Sequence, residues 1–342
     1  MLPRTTISDV SKAAGVSIKT VSRVLNKEQY VHAATRARVE AAIKALKFSP
    51  SLAARTLGGA RSFQIALIYD NHSPYYIHAV QEGVWARCKE AGVRMLAQPV
   101  DVASPTLAAE VGGLIDETRV DGVILSSPVT DAAPVLAELE RRGIPFVRIS
   151  PGTNHALTSS VFMDDVQAAD DMTTHLIDLG HRVIGFILGH PNHMASEQRL
   201  FGYRRALDRA GIAFEPELVR LGEFDFASGA AAGDALLALA RRPTAIFASN
   251  DDMASGVLAV AHRLKIAVPD DLSVTGFDDT ALASIVWPPL TTIRQPTRDL
   301  AYAAACLLFE RRDGVEHRRL QHDLVVRASS AAPLDRKVGA RE

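Results

Sequence analysis

The sequence predicts a small all-α unit at the start of the chain and a larger α/β unit behind it. In residues 5–26, TTISDVSKAAGVSIKTVSRVLN, apolar residues recur at helical spacing on both sides of a glycine. From Ser62 onward, short apolar runs alternate with amphipathic helical stretches, which is typical of βα units around parallel sheets. Residues 1–61 hold eleven Lys/Arg and three Asp/Glu, a net charge of +8, whereas the remaining 27 Lys/Arg and 36 Asp/Glu give −9. A localised basic unit indicates binding to nucleic acid.

The first helix is predicted to begin at Thr6, because Thr6 and Asp9 have the spacing of a capping box. Its apolar face contains Val10 and Ala14. Gly15 is expected to end it, since glycine readily adopts the left-handed conformation that a sharp turn needs.

The second helix is predicted over about residues 17–25, with Val21, Val24 and Leu25 facing inward. Its outward residues are Ser17, Ile18, Lys19, Ser22 and Arg23. A helix-turn-helix inserts this end of its second helix into the major groove. The alternative interpretation is a surface helical hairpin without a DNA-binding role. A third helix is predicted in TRARVEAAIKALKF, where Val39, Ala42, Ile43 and Leu46 form an apolar stripe.

A hinge segment follows in residues 50–61. Pro50 and Ser51 are helix-start signals, and Gly58 and Gly59 end the segment. A helix this short is marginal in water, so we expect it to fold only against DNA or a partner. The alternative is a flexible linker.

Seven strands are predicted in the α/β unit, at residues 63–69, 93–98, 121–127, 145–149, 182–188, 244–249 and 272–277. The series falls into two similar halves near Pro151 to Ser160, a stretch rich in turn residues. Two α/β lobes leave a cleft, and ligands of open α/β sheets bind beyond the carboxyl ends of the strands.

Composition and motifs exclude several classes of protein. The 342 residues are 47% hydrophobic and 23% charged, as in an ordinary globular protein. Cys88 and Cys306 have no redox or metal-binding spacing, and no secretory h-region or membrane span is present, so a cytoplasmic location is expected. His72, His78, His190 and His193 form no metal-binding motif, and the chain lacks G-x-S-x-G, P-loop and G-x-G-x-x-G motifs. We therefore expect no enzyme activity, no metal and no cofactor. The other alternative is a secreted solute-binding protein. The missing signal peptide and the basic N-terminal unit argue against it.

Residues 9–26 nearly reproduce the pattern D-V-A-x-x-A-G-V-S-x-x-T-V-S-R-V-L-N, by which the chain resembles the LacI/GalR family of bacterial transcription regulators. Ser11 stands where Ala is usual, and His32 replaces a frequent Ser at the start of the third helix. The resemblance extends through the hinge SPSLAARTLGG to about residue 327. It implies a helix-turn-helix domain with a hinge helix, and an α/β core of two lobes like a periplasmic binding protein.

The resemblance also implies the residues that contact DNA. Ile18 and Lys19 occupy the variable positions that meet base edges, and Leu57 matches a leucine that enters a central minor-groove step. The whole predicted set is Thr6, Ser17, Ile18, Lys19, Thr20, Ser22, Arg23, Asn26, Thr35, Arg36, Ala54 and Leu57.

A small-molecule effector is expected between the lobes. Arg199 lies in the family motif R-x-x-G-[FYW], Phe224 matches an aromatic platform, and Asp278 follows the last predicted strand. The predicted set is Asp70, Asn71, Tyr75, Tyr76, Ser150, Asp164, Arg199, Phe224, Asn250 and Asp278. For the two tyrosines a rim or dimer-surface position is the alternative. Aromatic and polar groups together suit a sugar, whose CH faces stack on rings while its hydroxyls need partners.

We therefore predict a cytoplasmic homodimeric repressor of carbohydrate-utilisation genes that binds a pseudo-palindromic operator in double-stranded DNA. The alternative is a corepressor-responsive regulator of another metabolite such as a nucleobase. The predicted domains are residues 1–49, the hinge 50–61, the core 62–327 and a flexible tail 333–342. Lobe 1 takes about residues 62–158 and 292–321, and lobe 2 takes 159–291 and 322–332.

Overall fold

The computed structural model describes residues 5–25, 28, 30–48, 61–71, 73–310 and 314–334, which fall into two units. The first unit holds the described residues up to Phe63 together with 118–121, and the second holds 64–117 and the described residues from Gly122 onward. Three predicted features lie outside the described residues: Asn26, the hinge up to residue 60 with Ala54 and Leu57, and the tail from residue 335.

The first unit contains three helices, α1 (Ile7–Ala14), α2 (Ile18–Leu25) and α3 (Ala33–Ala45). The predicted capping box is confirmed: the Asp9 amide donates to the Thr6 hydroxyl, and the Asp9 carboxylate accepts from the Thr6 amide at 2.8 Å. These hydrogen bonds lower the pKa of Asp9. Gly15 ends α1 in the left-handed conformation with a φ of 62°, as predicted.

The helices enclose a small apolar core. Its buried members are Val10, Ala14, Val21, Val24 and Val39. Each comes from a position that the helical spacing placed on an inner face, so burial of apolar surface explains why these short helices are stable together. The start of α3 lacks a side-chain cap, because His32 makes no capping hydrogen bond.

The first lobe of the second unit is built on a six-stranded parallel sheet of order β11-β5-β4-β3-β1-β2. The strands are β1 (Gln64–Tyr69), β2 (Arg94–Pro99), β3 (Val123–Leu125), β4 (Phe146–Ile149), β5 (Ser160–Phe162) and β11 (His317–Arg319). The helices of this lobe are α4 (Pro74–Ala91), α5 (Leu107–Thr118), α6 (Ala133–Arg142) and α12 (Thr297–Glu310). Buried residues of α4, α12 and the central strands form its core.

The second lobe has a four-stranded parallel sheet of order β7-β6-β8-β9. Its strands are β6 (Ile184–Ile187), β7 (Val219–Arg220), β8 (Ala245–Ala248) and β9 (Ser273–Thr275). Its helices are α7 (Asp165–Asp178), α8 (Met194–Arg209), α9 (Phe226–Leu237), α10 (Asp251–Arg263) and α11 (Ala281–Ile285). The alternation of strands and helices confirms the predicted α/β class.

The chain crosses between the lobes at places that differ slightly from the prediction. Ser160–Phe162 forms β5 in the first sheet, although the sequence interpretation assigned it to lobe 2. Strand β10 (Thr292–Arg294) pairs antiparallel with β12 (Asp323–Val325), and Ile293 packs with Phe277 in the core of the second lobe. The reason is backbone pairing: β5 extends the first sheet beside β4, while bridges join Thr291 and Arg294 to the chain around β9.

No helix within the described ranges is long and apolar enough to cross a membrane. Among these same residues, no three His, Cys, Asp or Glu side chains are placed to hold a metal ion.

Candidate functional site

The first candidate surface is the exposed start of α2. The Ser17 hydroxyl accepts from the Thr20 amide at 3.2 Å and lies 2.9 Å from the Thr20 hydroxyl, so it caps the helix. Ile18 and Lys19 follow on the outside, and 49% of Ile18 is exposed. An exposed isoleucine beside a lysine offers one apolar and one charged contact to a groove.

The side chains of the other predicted DNA-contacting residues in this unit are half-buried or already make contacts within the unit. Thr6 is exposed, but its hydroxyl lies 2.7 Å from the Asp9 carboxylate. Arg23 pairs with Glu28 at 3.5 Å, and Arg36 donates to the Glu28 carbonyl at 2.6 Å. Thr20, Ser22 and Thr35 are half-buried. Ile18 and Lys19 are therefore the predicted residues whose side chains the fold leaves most open to DNA.

The second candidate site, the inner cavity, lies between the lobes of the second unit at the carboxyl ends of their strands. Its empty space amounts to about 480 Å³ when the part open to solvent is counted. Seven of the ten predicted effector residues line it: Asn71, Tyr76, Ser150, Arg199, Phe224, Asn250 and Asp278.

Arg199, on α8, is 4% exposed and held from three directions. Its Nε donates to Asp165 at 2.8 Å, and its Nη1 donates to the Ser249 carbonyl at 2.5 Å. The guanidinium carbon lies 3.6 Å from the centre of the Phe277 ring. Within the described chain Nη2 makes no hydrogen bond, so a fixed, planar donor faces the cavity.

Asp278 follows β9 in a conformation that is uncommon outside glycine, with a φ of 111°. Its backbone amide donates to the Ile293 carbonyl at 2.8 Å, and its carboxylate accepts from Gln295 Nε2 at 2.6 Å. Burial raises the pKa of Asp278 to about 7, although the positive charge of Arg199 opposes the shift. Asp278 is thus a carboxyl group whose pKa the fold shifts strongly at the cavity wall. Groups with strongly shifted pKa values are common in binding sites.

Phe224 forms the aromatic part of the wall. Its φ is 60°, and its ring lies 5.1 Å from the ring of His193 in an edge-on arrangement. Gly189 makes room for the ring, because a Cβ there would lie 1.8 Å from Phe224 Cζ. Asn250 donates to the Phe224 carbonyl at 2.9 Å and also caps α10 by accepting from the Met253 amide. Asn250 therefore has a structural role as well as a place in the lining.

The first lobe closes the cavity through polar contacts to the second. The Ser73 hydroxyl donates to Asp252 at 2.8 Å, and the Ser127 hydroxyl lies 3.4 Å from His193 Nδ1. Tyr76 lines the same side, and burial raises its pKa to about 12.

The structure places Asp70, Tyr75 and Asp164 outside the lining. Asp70 accepts from the Val102 amide at 2.8 Å and faces a neighbouring cavity. Tyr75 is exposed. Asp164 caps α7 by accepting from the Gln167 amide at 2.9 Å, and its other oxygen lies 3.0 Å from Arg319. The polar groups of both aspartates are thus used by the fold.

Six lining residues were not predicted: Ser73, Ser127, Asp165, His193, Ala195 and Gln295. Asp165 lines the cavity, whereas the sequence analysis predicted its neighbour Asp164. Gln295 follows β10, and the bridge between Asp278 and Arg294 brings it to the Asp278 carboxylate. Ser127 is the last residue of the third predicted strand, and its position at the carboxyl end of a strand could have identified it as a lining residue.

Comparisons with known proteins agree with both parts of the chain. Residues 6–51 match the model "Bacterial regulatory proteins, lacI family", and residues 173–330 match the "Periplasmic binding protein-like domain". The ribose operon repressor of Escherichia coli (strain K12) is 35% identical over 321 residues, covering 92% of this chain and 96% of the repressor.

Two solved structures extend the likeness to the fold. The lac repressor dimer bound to operator and the anti-inducer ONPF superposes with a TM-score of 0.82 at 28% identity, covering 96% of this chain and 100% of that one. The complex of the transcriptional regulator CelR with cellobiose gives a TM-score of 0.74 at 32% identity with the same coverage. The chain belongs to the lacI family of bacterial regulatory proteins and is a DNA-binding transcriptional regulator.

Proposed function

We propose that the protein is a homodimeric repressor whose operator affinity is set by a small polar effector, a sugar, bound in the inner cavity. The observation that carries this proposal is the meeting of Arg199, Phe224 and Asp278 in one buried cavity, although they follow different strands. A donor, an acceptor and a ring at one place are the groups that a sugar needs.

The charge of the cavity supports an uncharged effector. Arg199 is already paired with Asp165, whereas Asp278 has only the Gln295 amide as a hydrogen-bond partner for its side chain among the described residues. An anionic ligand would add a negative charge beside Asp278. Two similar proteins support the same class of effector: the ribose operon repressor and the regulator CelR in its complex with cellobiose.

DNA recognition is assigned to α2, and in particular to Ile18 and Lys19. One such helix covers a half-site, so a two-fold protein on a pseudo-palindromic operator is the usual solution. The lac repressor dimer on its operator supports a homodimer. We infer a regulator with no enzymatic step and a cytoplasmic place of action, in keeping with relatives named as regulators and repressors.

Effector control is proposed to act through closure of the lobes. The Ser73–Asp252 and Ser127–His193 contacts join the lobes at the cavity, so a ligand there has different contacts when the lobes are closed or open. A ligand shifts a conformational equilibrium only through such a difference in affinity. The shift would reach the operator through the hinge that connects core and helix-turn-helix.

The DNA-binding part is tested by selection from randomised DNA with the double variant Ile18→Ala, Lys19→Ala. The preferred sequence should change, since a good base contact contributes about 1 to 3 kcal/mol of discrimination. Lys44→Ala removes one charge from an exposed position of α3 and is the matched control. An unchanged consensus for the double variant would contradict the assignment.

The effector part is tested by a thermal-shift screen of sugars and nucleobases, followed by operator binding with each compound that stabilises the protein. A sugar that raises the unfolding temperature and changes operator affinity is the expected result. A response to nucleobases alone would favour the corepressor alternative, and a protein whose operator binding ignores all compounds would contradict effector control.

A further inference from the structure

A second cavity, the outer compartment, adjoins the inner cavity. Residues 100–103 and Pro128 of the first lobe line it together with His190, Asn192 and His193 of the second, and Asp70 lies at its wall. Its volume is about 400 Å³, which lies in the range of ligand sites.

The same loops build both compartments. In the loop after β1, Asn71 lines the inner cavity and Asp70 lines the outer compartment. In the loop after β3, Ser127 lines the inner cavity and Pro128 lines the outer compartment. His193 lines both, which makes its side chain the shared wall. Its ring lies 5.1 Å from Phe224 on the inner side and 5.7 Å from His190 on the outer side. The rings of Phe224, His193 and His190 thus form a row that runs from the inner cavity to the outer compartment.

Neither compartment suits an anion. Of the described residues that line them, Arg199 is the one Lys or Arg, and Asp165 already pairs with it. His190 accepts from the Asn192 amide at its Nδ1, and its Nε2 lies 3.3 Å from Glu223. Asp70 and Asp101 add carboxylates to the outer side. A phosphate in the outer compartment would lie beside the carboxylates of Asp70 and Asp101, and a phosphate in the inner cavity would lie beside those of Asp165 and Asp278.

We propose that the outer compartment binds the second unit of a neutral two-ring saccharide whose first unit occupies the inner cavity. This inference rests on the proposed function and names the class of its effector. The link between the two units passes the ring of His193. Apolar atoms of Val100, Val102 and Pro128 offer a surface for CH groups, while Asp101 and Asn192 offer polar partners for hydroxyls.

The test fills the outer compartment without touching the inner one. Ala103 is exposed in the lining loop, so Ala103→Trp places a large ring in the compartment without disturbing a buried core. Ala109→Trp adds the same ring on the exposed side of α5 and is the matched control. Asn192→Ala is a second and milder variant, because Asn192 is exposed and its backbone amide, which donates to His190 Nδ1, is kept.

Calorimetric titration of the full chain is carried out with glucose, galactose and ribose, with cellobiose, maltose, lactose and trehalose, and with glucose 6-phosphate and hypoxanthine. We expect one disaccharide to bind at least tenfold more tightly than its constituent monosaccharide, and glucose 6-phosphate not to bind. Ala103→Trp should weaken the disaccharide at least tenfold and the monosaccharide less than twofold, and Asn192→Ala should weaken the disaccharide about threefold. The control should bind every compound as the parent does.

Three results would overturn the proposal: a monosaccharide that binds as tightly as every disaccharide, a disaccharide that binds Ala103→Trp as it binds the parent, or tight binding of glucose 6-phosphate. If a single-ring compound controls operator binding and is indifferent to Ala103→Trp, the outer compartment is excluded while the proposed function stands. If no compound of the panel binds or alters operator affinity, both the two-unit effector and effector control by sugars are rejected.

Discussion

Replacing Asp278 by asparagine should stabilise the ligand-free protein and abolish its response to effector. The carboxyl of Asp278 is buried near Asp252, Asp165 and the hydrogen-bonded Asp251, with Arg199 as the opposing charge. Burial raises its pKa from 3.8 to about 7. Asparagine keeps an oxygen that can accept from Gln295 and carries no charge.

The sign of the pH effect follows from proton linkage. Because the folded carboxyl binds its proton more tightly than the unfolded one, the folded state holds more protons between about pH 4 and pH 7. The free energy of unfolding therefore falls as the pH rises through this window. Between pH 5 and pH 8 the loss covers about two pKa units, or about 3 kcal/mol at 1.36 kcal/mol per unit. Partial contact of the side chain with solvent reduces the expected loss to about 1 to 2 kcal/mol.

Urea unfolding of the parent and Asp278→Asn at pH 5, 6, 7 and 8 measures this loss as a difference, in which the titration of groups remote from Asp278 cancels. The charge of Asp278 also raises the pKa of Asp251, so the difference includes the relief of that repulsion. The variant should gain stability relative to the parent as the pH rises. Asp299→Asn, at a side chain that is 69% exposed, is the control and should show a constant difference. A difference for Asp278→Asn that does not grow between pH 5 and pH 8 would refute the reasoning.

Three further predictions concern other parts of the chain. Thr6→Ala should destabilise the first unit by about 1 kcal/mol, because it removes the cap of α1; chemical unfolding measures it, and an unchanged midpoint would contradict the role of the cap. Arg199→Ala should weaken effector binding at least about tenfold and lower stability by about 3 kcal/mol, since Asp165 loses its buried partner. Calorimetry and unfolding test this, and full binding would remove Arg199 from the site. Leu57→Ala should weaken specific operator binding and leave nonspecific binding unchanged, as a lost minor-groove wedge would; equal bending and affinity in a gel-shift assay would exclude that role.

Seven of the ten residues predicted to bind the effector line the inner cavity, and neighbouring residues account for two of the three that do not. Asp164 and Asp165 are chemically alike, and the first became the cap of α7 while the second turned into the cavity. Tyr75 and Tyr76 are consecutive on α4, so their side chains point about 100° apart, and only Tyr76 faces the cavity. A local pattern identifies such a pair, whereas the choice between its members depends on tertiary packing.

Short strands were the part of the fold that local patterns could not predict. Strand β7 has two residues and β11 has the sequence HRR, so neither shows an apolar run. Both become strands because a neighbouring strand offers them backbone hydrogen bonds. Helix α1 is the opposite case: its cap, apolar face and terminal glycine lie within ten residues, and the prediction needed no distant partner.

The pairing of β5 with β11 has a consequence for the synthesis of the protein. Ser160 of β5 pairs with His317 of β11, which the ribosome adds 157 residues later. Strand β10 likewise has no partner until β12 has been synthesised. At about 5 to 20 residues per second, a ribosome needs on the order of 10 to 30 s to deliver that partner. Throughout this interval the nascent chain carries an unpaired strand edge, the kind of surface that promotes aggregation. Products truncated before residue 317 would keep it permanently, so the segment from residue 317 onward decides whether this edge of the first sheet is covered.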